Sequence, residues 1–231
     1  MREISLIIPV YRDKEALIKL LMHLRNAAYN EHLDIIVVQA DESFDFSQKA
    51  ALKLKVLNSH KASRALQMNL GAAEARGEIL YFVHADALPP LSLVEDINLA
   101  IDKGYLMGGY RLKFDPNAIL LNLNAYMSRF QTFYSGGGDQ TLYIPKKVFS
   151  EHGGYDNNFC IMEDFEFVHR LKKKYGYYII PKEVIVSSRK YRCNNYFLVN
   201  YTNYRVFQMY KKGIASEIIK AYYYAALSRE K

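Results

Sequence analysis

The stretch Ile79 to Pro90, ILYFVHADALPP, decides how the rest of the chain is read. Ile79 to Val83 and, past a single His, Ala85 run apolar without alternation, as a strand covered on both faces does. The run ends in His84-Ala85-Asp86, and Pro89-Pro90 then removes the donors further pairing would need. A carboxylate at the carboxyl end of a central parallel strand lies where open α/β sheets bind ligands. Just upstream, Arg76-Gly77-Glu78 reads as a helix C-cap and a tight turn. Asp86 itself stays open to two readings, a ligand-binding group or the N-cap of a helix from about Leu91 to Ile101.

Working outward, Ile4 to Val10 (ISLIIPV) is a second unalternating strand, closing on Pro9-Val10-Tyr11. Asp13 is placed to cap the next helix, whose Leu17, Leu20, Leu21 and Leu24 share one face. Asp34 to Ala40 (DIIVVQA) is a third buried strand, opening into the acidic loop Asp41-Glu42-Ser43-Phe44-Asp45. A short helix around Ser47 to Leu54, a strand near Lys55 to Leu57 and a helix from about Ser63 to Gly77 lead back to Ile79. This β-α-β-α-β-α-β alternation predicts an α/β fold with a mostly parallel central sheet flanked by helices and right-handed crossovers. The residues after the first strand, PVYRDKE, carry neither a dinucleotide-binding glycine fingerprint nor a phosphate-cradling P-loop.

Past Pro90 a strand is expected over Tyr105 to Phe114 with a bulge at Gly108-Gly109, then a helix from Asn117 to Tyr134. Ser135-Gly136-Gly137-Gly138-Asp139-Gln140 reads as a flexible connection before a short strand, Thr141 to Ile144, and a helix from Lys146 to His152. Glu163-Asp164 opens a helix that runs to Tyr175, and Val184 to Ser188 forms a last strand. Residues 1–192 are assigned to the α/β domain and 193–231 to a C-terminal helical extension packed on it, two segments around Gly213.

Composition narrows the function. Half of the 231 residues are hydrophobic, enough for one large core. No apolar run approaches the roughly 18 residues of a membrane span, and the N-terminus has no signal-peptide pattern, so a cytoplasmic location is expected. Cys160 and Cys193 have no metal-ligand spacing, which speaks against zinc or a disulfide framework. A net charge of +7 suits a phosphate-bearing ligand or an anionic membrane surface. It would suit nucleic acid too, but no recognition motif for one is present, and none is expected as partner. Twenty tyrosines and no tryptophan read mainly as amphipathic core edge. Tyr196, Phe197, Tyr201, Tyr204, Phe207 and Tyr210 recur near helical spacing beside Arg205, Lys211 and Lys212, which fits packing on the domain, with peripheral membrane contact as the lesser alternative.

In this order the motifs resemble the family 2 glycosyltransferases of GT-A fold. The first strand ending Pro9-Val10-Tyr11, the strand IIVV ending in an acidic loop, ILYFVHAD, and Glu163-Asp164 at a helix start all match. Ser63 to Asp86, SRALQMNLGAAEARGEILYFVHAD, together with Gly138-Asp139-Gln140, is similar to the branch linked with arsenosugar-type biosynthesis. Each motif alone is weak; five in order over Ile4 to Arg189 are specific.

The resemblance implies an inverting enzyme that takes a sugar from a nucleotide-diphosphate donor, a UDP-sugar above all, to an unknown hydroxyl acceptor. It implies that Pro9, Val10, Tyr11 and Asp13 lie against the nucleotide, with Gln39 and Asp41 at the base, where the family usually has Asp. Ala85 and Asp86 fall at the strand-end motif, with Asp86 as ligand of a divalent cation, Mn²⁺ or Mg²⁺. The family's motif is usually Asp-x-Asp; here His84 takes the first place, as a soft ligand or a hydrogen-bonding ring. Asp164 stands where the general base is found and Glu163 beside it, although acids at a helix N-terminus also simply complement the dipole. Arg64 is a nucleotide contact or a solvated helix residue. Asp139 and Gln140 are acceptor or loop candidates, and Arg189 meets the pyrophosphate or belongs to a solvated basic run. Two rivals stand beside the transferase, a nucleotide-sugar-binding or membrane-docking module without turnover, and a nucleotidyltransferase, which usually has a Gly-rich basic loop where PVYRDKE stands.

Overall fold

Strand β1 (Ile4–Val10) is buried at every position because both of its faces are covered. Ile4, Leu6, Ile8 and Val10 share a core with Leu17, Leu20, Leu21 and Leu24 of helix α1 (Lys14–Arg25). Ile7 belongs to the opposite core, with Ala65 and Met68 of α2 (Arg64–Glu74). Two-sided covering leaves no position for polar alternation, and the one polar residue, Ser5, is buried with its hydroxyl bonded to Asp34 and to the Gly77 amide.

The computed structural model describes residues 1–25, 32–40, 54–131, 135–137 and 140–228. Its remaining strands are β2 (Leu33–Gln39), β3 (Leu54–Asn58), β4 (Ile79–Phe82), β5 (Ala87–Leu88), β6 (Gly108–Asp115), β7 (Leu142–Pro145) and β8 (Tyr178–Ser187). They form one sheet in the order β3-β2-β1-β4-β7-β6-β8-β5. The first four are mutually parallel, as the alternation predicts. Beyond β4 the sheet is mixed: β7 runs antiparallel to both β4 and β6, β6 pairs parallel with β8, and β5 antiparallel with β8. The helix expected around Ser47 falls almost wholly outside the described residues.

Several local expectations are corrected. Helix α3 (Leu93–Asp102) has Ser92, not Asp86, at its N-cap position, so Asp86 is left for the cleft. α2 ends at Glu74 with Ala75 as its C-cap, and a Cβ on Gly77 would come within 2.6 Å of the Ser5 nitrogen. Gly77 therefore answers a close approach to β1 instead of capping the helix. The irregularity in β6 lies between Tyr110 and Arg111, past the two glycines. α4 (Ile119–Met127) stops well before Tyr134, and β8 starts six residues ahead of Val184, at Tyr178.

The chain continues through α5 (Lys146–Glu151), α6 (Glu163–Tyr175), the short α7 (Arg189–Arg192), α8 (Tyr196–Lys211) and α9 (Ser216–Ala226). The last two join on either side of Gly213, whose φ of 68° no ordinary side chain favours. Val206 and Phe207 of α8 and Ile219 of α9 form a third core with Met162, and Phe165 packs against it. The tail thus buttresses the start of α6, where Glu163 and Asp164 stand. Among the described residues no helix is long and apolar enough to cross a membrane.

Candidate active site

Three parallel strands end side by side. β1 delivers Tyr11, Arg12 and Asp13, β2 delivers Gln39, and β4 delivers His84, Ala85 and Asp86. Gln67 of α2 ties the first two ends together: its Nε2 donates to the carbonyls of Val10 (2.8 Å) and Val38 (2.7 Å). Nothing in the sequence marked Gln67 as more than a helix residue; a polar side chain on a helix face that is otherwise apolar was the available signal.

Asp13 does not spend its carboxylate on α1. Its carbonyl accepts the first helical bond from Leu17, while its side chain meets Arg189 through Nη1 (3.0 Å) and Nη2 (2.5 Å). The same Nη2 lies 3.3 Å from Oδ2 of Asp86. Backbone pairing holds this cluster: β5 and β8 align Ala87 with Val186, and the Ser187 amide donates to the Asp86 carbonyl at 3.3 Å. Hydrogen bonding to Asp13 chiefly, helped by the charge of Asp86 against a desolvation cost, pushes the Arg189 pKa above its ordinary value.

The second cluster comes from α6. Oδ2 of Asp164 lies 3.7 Å from Nε2 of His84, both side chains 13% exposed. The two line a narrow cleft with Phe82, Gly136, Gly137 and Thr141. Glu163 is only 2% exposed, and its Oε1 is buried without a hydrogen-bond partner among the described residues, 3.8 Å from Nη1 of Arg64. Desolvation works against the Arg64 charge, but the side chain is 59% exposed and the acids prevail. Glu163 first, then Asp164, Tyr224 and Asp86, hold its pKa above the usual value. Tyr155, missed by the sequence reading, is buried in the field of Asp164 and Glu163; burial chiefly and then these acids keep its phenol protonated.

Among the described residues three non-glycine residues have left-handed backbone, and each adjoins this region: Arg12 (φ 52°), Thr141 (φ 63°) and Met162 (φ 68°). Such residues cost roughly 1–3 kcal/mol each and gather at functional sites.

Other candidates fall differently. Gln39 is buried and its Nε2 donates to Asn58 at 2.7 Å, so it braces β2 against β3 where a base contact was expected. Gln140 is buried too: Oε1 accepts from the Gly136 amide (2.9 Å) and Nε2 donates to the Ser128 carbonyl (3.0 Å). It ties Gly136 to Ser128 within a connection that was expected to be flexible, of which Gly138 and Asp139 lie outside the described residues. A Cβ on Gly136 or Gly137 would strike Val168 or Phe165 of α6, so these glycines permit close packing on that helix. Pro9 and Val10 are buried strand residues, and Ala85 is buried beneath the cleft. Asp41 and Asp139 lie outside the described residues. A cavity of about 470 Å³ bordered by Arg2, Glu78 and Lys146 sits at the amino ends of β1 and β4, away from these groups.

Among the described residues no three His, Cys, Asp or Glu side chains gather at one point. Asp86 faces Arg189, and His84 faces Asp164. These residues do not fit a metal held by the protein.

Similarity to known proteins agrees with this layout. The model of glycosyl transferase family 2 matches residues 5–153, and that of a glycosyltransferase-like family 2 matches residues 102–225. No curated protein matches the chain. Residues 1–349 of S. aureus TarS, in complex with UDP-GlcNAc, share the fold with a TM-score of 0.64 at 17% identity, over 81% of this chain and 59% of that one. The mannosyltransferase PcManGT from Pyrobaculum calidifontis, in complex with GDP-Man and Mn²⁺, gives 0.65 at 19% identity, over 97% and 68%. The chain thus spans about three-fifths of the TarS fragment. With a family model matched over most of its length and the GT-A architecture in its sheet, the chain belongs to glycosyl transferase family 2.

Proposed function

We propose that the chain transfers a sugar, with inversion, from a nucleoside-diphosphate sugar to a hydroxyl acceptor, with Asp164 as general base. One juxtaposition carries this reading: Asp164, at the start of α6, meets His84 at the end of β4, beside Asp86 and Arg189. In the step inferred, the acceptor oxygen bonds to the anomeric carbon and its proton passes to the Asp164 carboxylate. The bond from that carbon to the phosphate oxygen breaks, and its electron pair leaves with the nucleoside diphosphate. Arg64 and Arg189 face the growing negative charge, and buried Glu163 keeps Arg64 in place.

UDP-GlcNAc with TarS and GDP-Man with PcManGT support a hexose donor on uridine or guanosine. The stretch from Ser63 to Asp86 supports the arsenosugar-type branch within the family. The test is incubation with a panel of nucleotide sugars, reading release of nucleoside diphosphate. Release is expected for one donor class, and none for any donor would favour a binding module.

Helix α8 buries Val199, Thr202, Val206 and Phe207 and leaves Phe197, Tyr201 and Tyr204 exposed. With Ile119 and Leu123 exposed on α4 and Arg205 nearby, they support peripheral contact with an anionic bilayer. Co-sedimentation with anionic vesicles tests it; protein left in the supernatant at physiological salt would end the idea.

A further inference from the structure

Arg189 is placed with more care than a solvated basic run requires. It is the first residue of α7, directly after β8, and the β5–β8 ladder sets it beside Asp86 through backbone bonds alone. Asp13, from the end of the central strand, then fixes the guanidinium with two parallel bonds. A guanidinium held this way keeps its charge, and the N–H donors that Asp13 and Asp86 do not take, on Nε and Nη1, lie in a fixed plane where phosphate oxygens can accept them. The side chains of Arg189, Asp13 and Asp86 are 40%, 26% and 37% exposed, so the cluster is reachable from solvent.

We propose that Arg189 is the cation of the donor site, meeting the diphosphate of the nucleotide sugar and taking the role the sequence had assigned to a metal ion. The proposal rests on the donor reading above and deepens it. Two observations carry it. The strand-end carboxylate that would hold a metal already faces Arg189, and the residue two before it, His84, is turned to the base. A carboxylate at His84 would add negative charge between base and diphosphate; an imidazole there does not. Asp13 and Asp86 are then positioning residues, aiming Arg189 and keeping it from collapsing onto solvent.

As the sugar leaves, the electron pair of the broken bond stays on the diphosphate, which gains negative charge. Arg189 offsets that charge from a preset position, with no reorganisation at the moment of reaction.

The experiment is calorimetric titration of UDP and of GDP into the full chain, once with EDTA and once with Mn²⁺. The wild type is expected to bind one of them in EDTA within about threefold of its Mn²⁺ affinity. Arg189→Gln is expected to lose at least about tenfold in EDTA, the effect of one charge-assisted hydrogen bond. Arg189→Lys, which keeps the charge without the fork, is expected to fall between the two. Thermal melts of each variant establish folding, and the wild-type comparison needs no variant. Wild-type binding that appears only with Mn²⁺, or unchanged affinity in a folded Arg189→Gln, overturns the proposal and leaves the transferase reading intact. No binding of either nucleotide with or without Mn²⁺ overturns the donor reading and this proposal together.

Discussion

Nε2 of His84 and Oδ2 of Asp164 lie 3.7 Å apart although they come from opposite halves of the chain. β4 ends at one wall of the cleft and α6 begins at the other, and the two side chains close the gap. Asp164→Asn keeps the shape of that contact and removes the proton acceptor. Transfer is expected to fall roughly 10²- to 10⁴-fold with donor affinity near wild type. If Asp164 only complements the α6 dipole, the change costs under about 1 kcal/mol and leaves the rate alone. Single-turnover transfer at saturating donor, beside a melt, separates the accounts.

Gln67→Leu removes both bonds to the ends of β1 and β2, leaving the Val10 and Val38 carbonyls without that donor. A loss of about 1–3 kcal/mol is expected, or some 2–4 °C in melting temperature per kcal/mol for a chain of this size. Weaker nucleotide binding should accompany it, because Tyr11 and Asp13 follow directly from Val10. An unchanged melt would mean that water replaces the amide.

Gly137→Ala places a methyl group 2.5 Å from Cζ of Phe165, the residue after Asp164. Either the loop or α6 must shift, at about 1–3 kcal/mol. The turnover rate is expected to drop by more than the melting shift suggests. Full turnover would show that the start of α6 tolerates displacement.

Phe207 stacks edge-on against Phe165, ring centres 4.4 Å apart, and is nearly buried. Phe207→Ala is expected to cost about 3–5 kcal/mol and to lower transfer by loosening α6. Phe197→Ala, at an exposed position on the same helix, should stay within about 0.5 kcal/mol of wild type. Chemical denaturation of the two variants side by side checks both. Equal effects would mean the tail does not support the site through this contact.

The parallel half of the sheet was legible in the chain because a strand covered on both faces is mostly apolar and lacks polar alternation. ISLIIPV, DIIVVQA and ILYFV state that condition residue by residue, and the leucines of α1 state the matching helical face. The position of Asp86 past the end of β4 followed from the same run, as did Glu163-Asp164 at the start of α6. The antiparallel insertion of β7 between β4 and β6 was not legible, since a buried strand reads alike in either direction.

Residue type and spacing along the chain determined which side chains end the strands and open α6, and so which groups were candidates. Only the tertiary structure decided their partners. Asp13 went to Arg189, far along the chain, because the two-residue strand β5 brings the end of β8 beside the end of β4. Gln39 and Gln140 became braces because their surroundings are buried, where a side-chain NH2 needs an acceptor, Asn58 for the one and the Ser128 carbonyl for the other. Glu163 met Arg64 for the same reason: a carboxylate that deep needs positive charge close by, and only the packing of α2 against α6 supplies it.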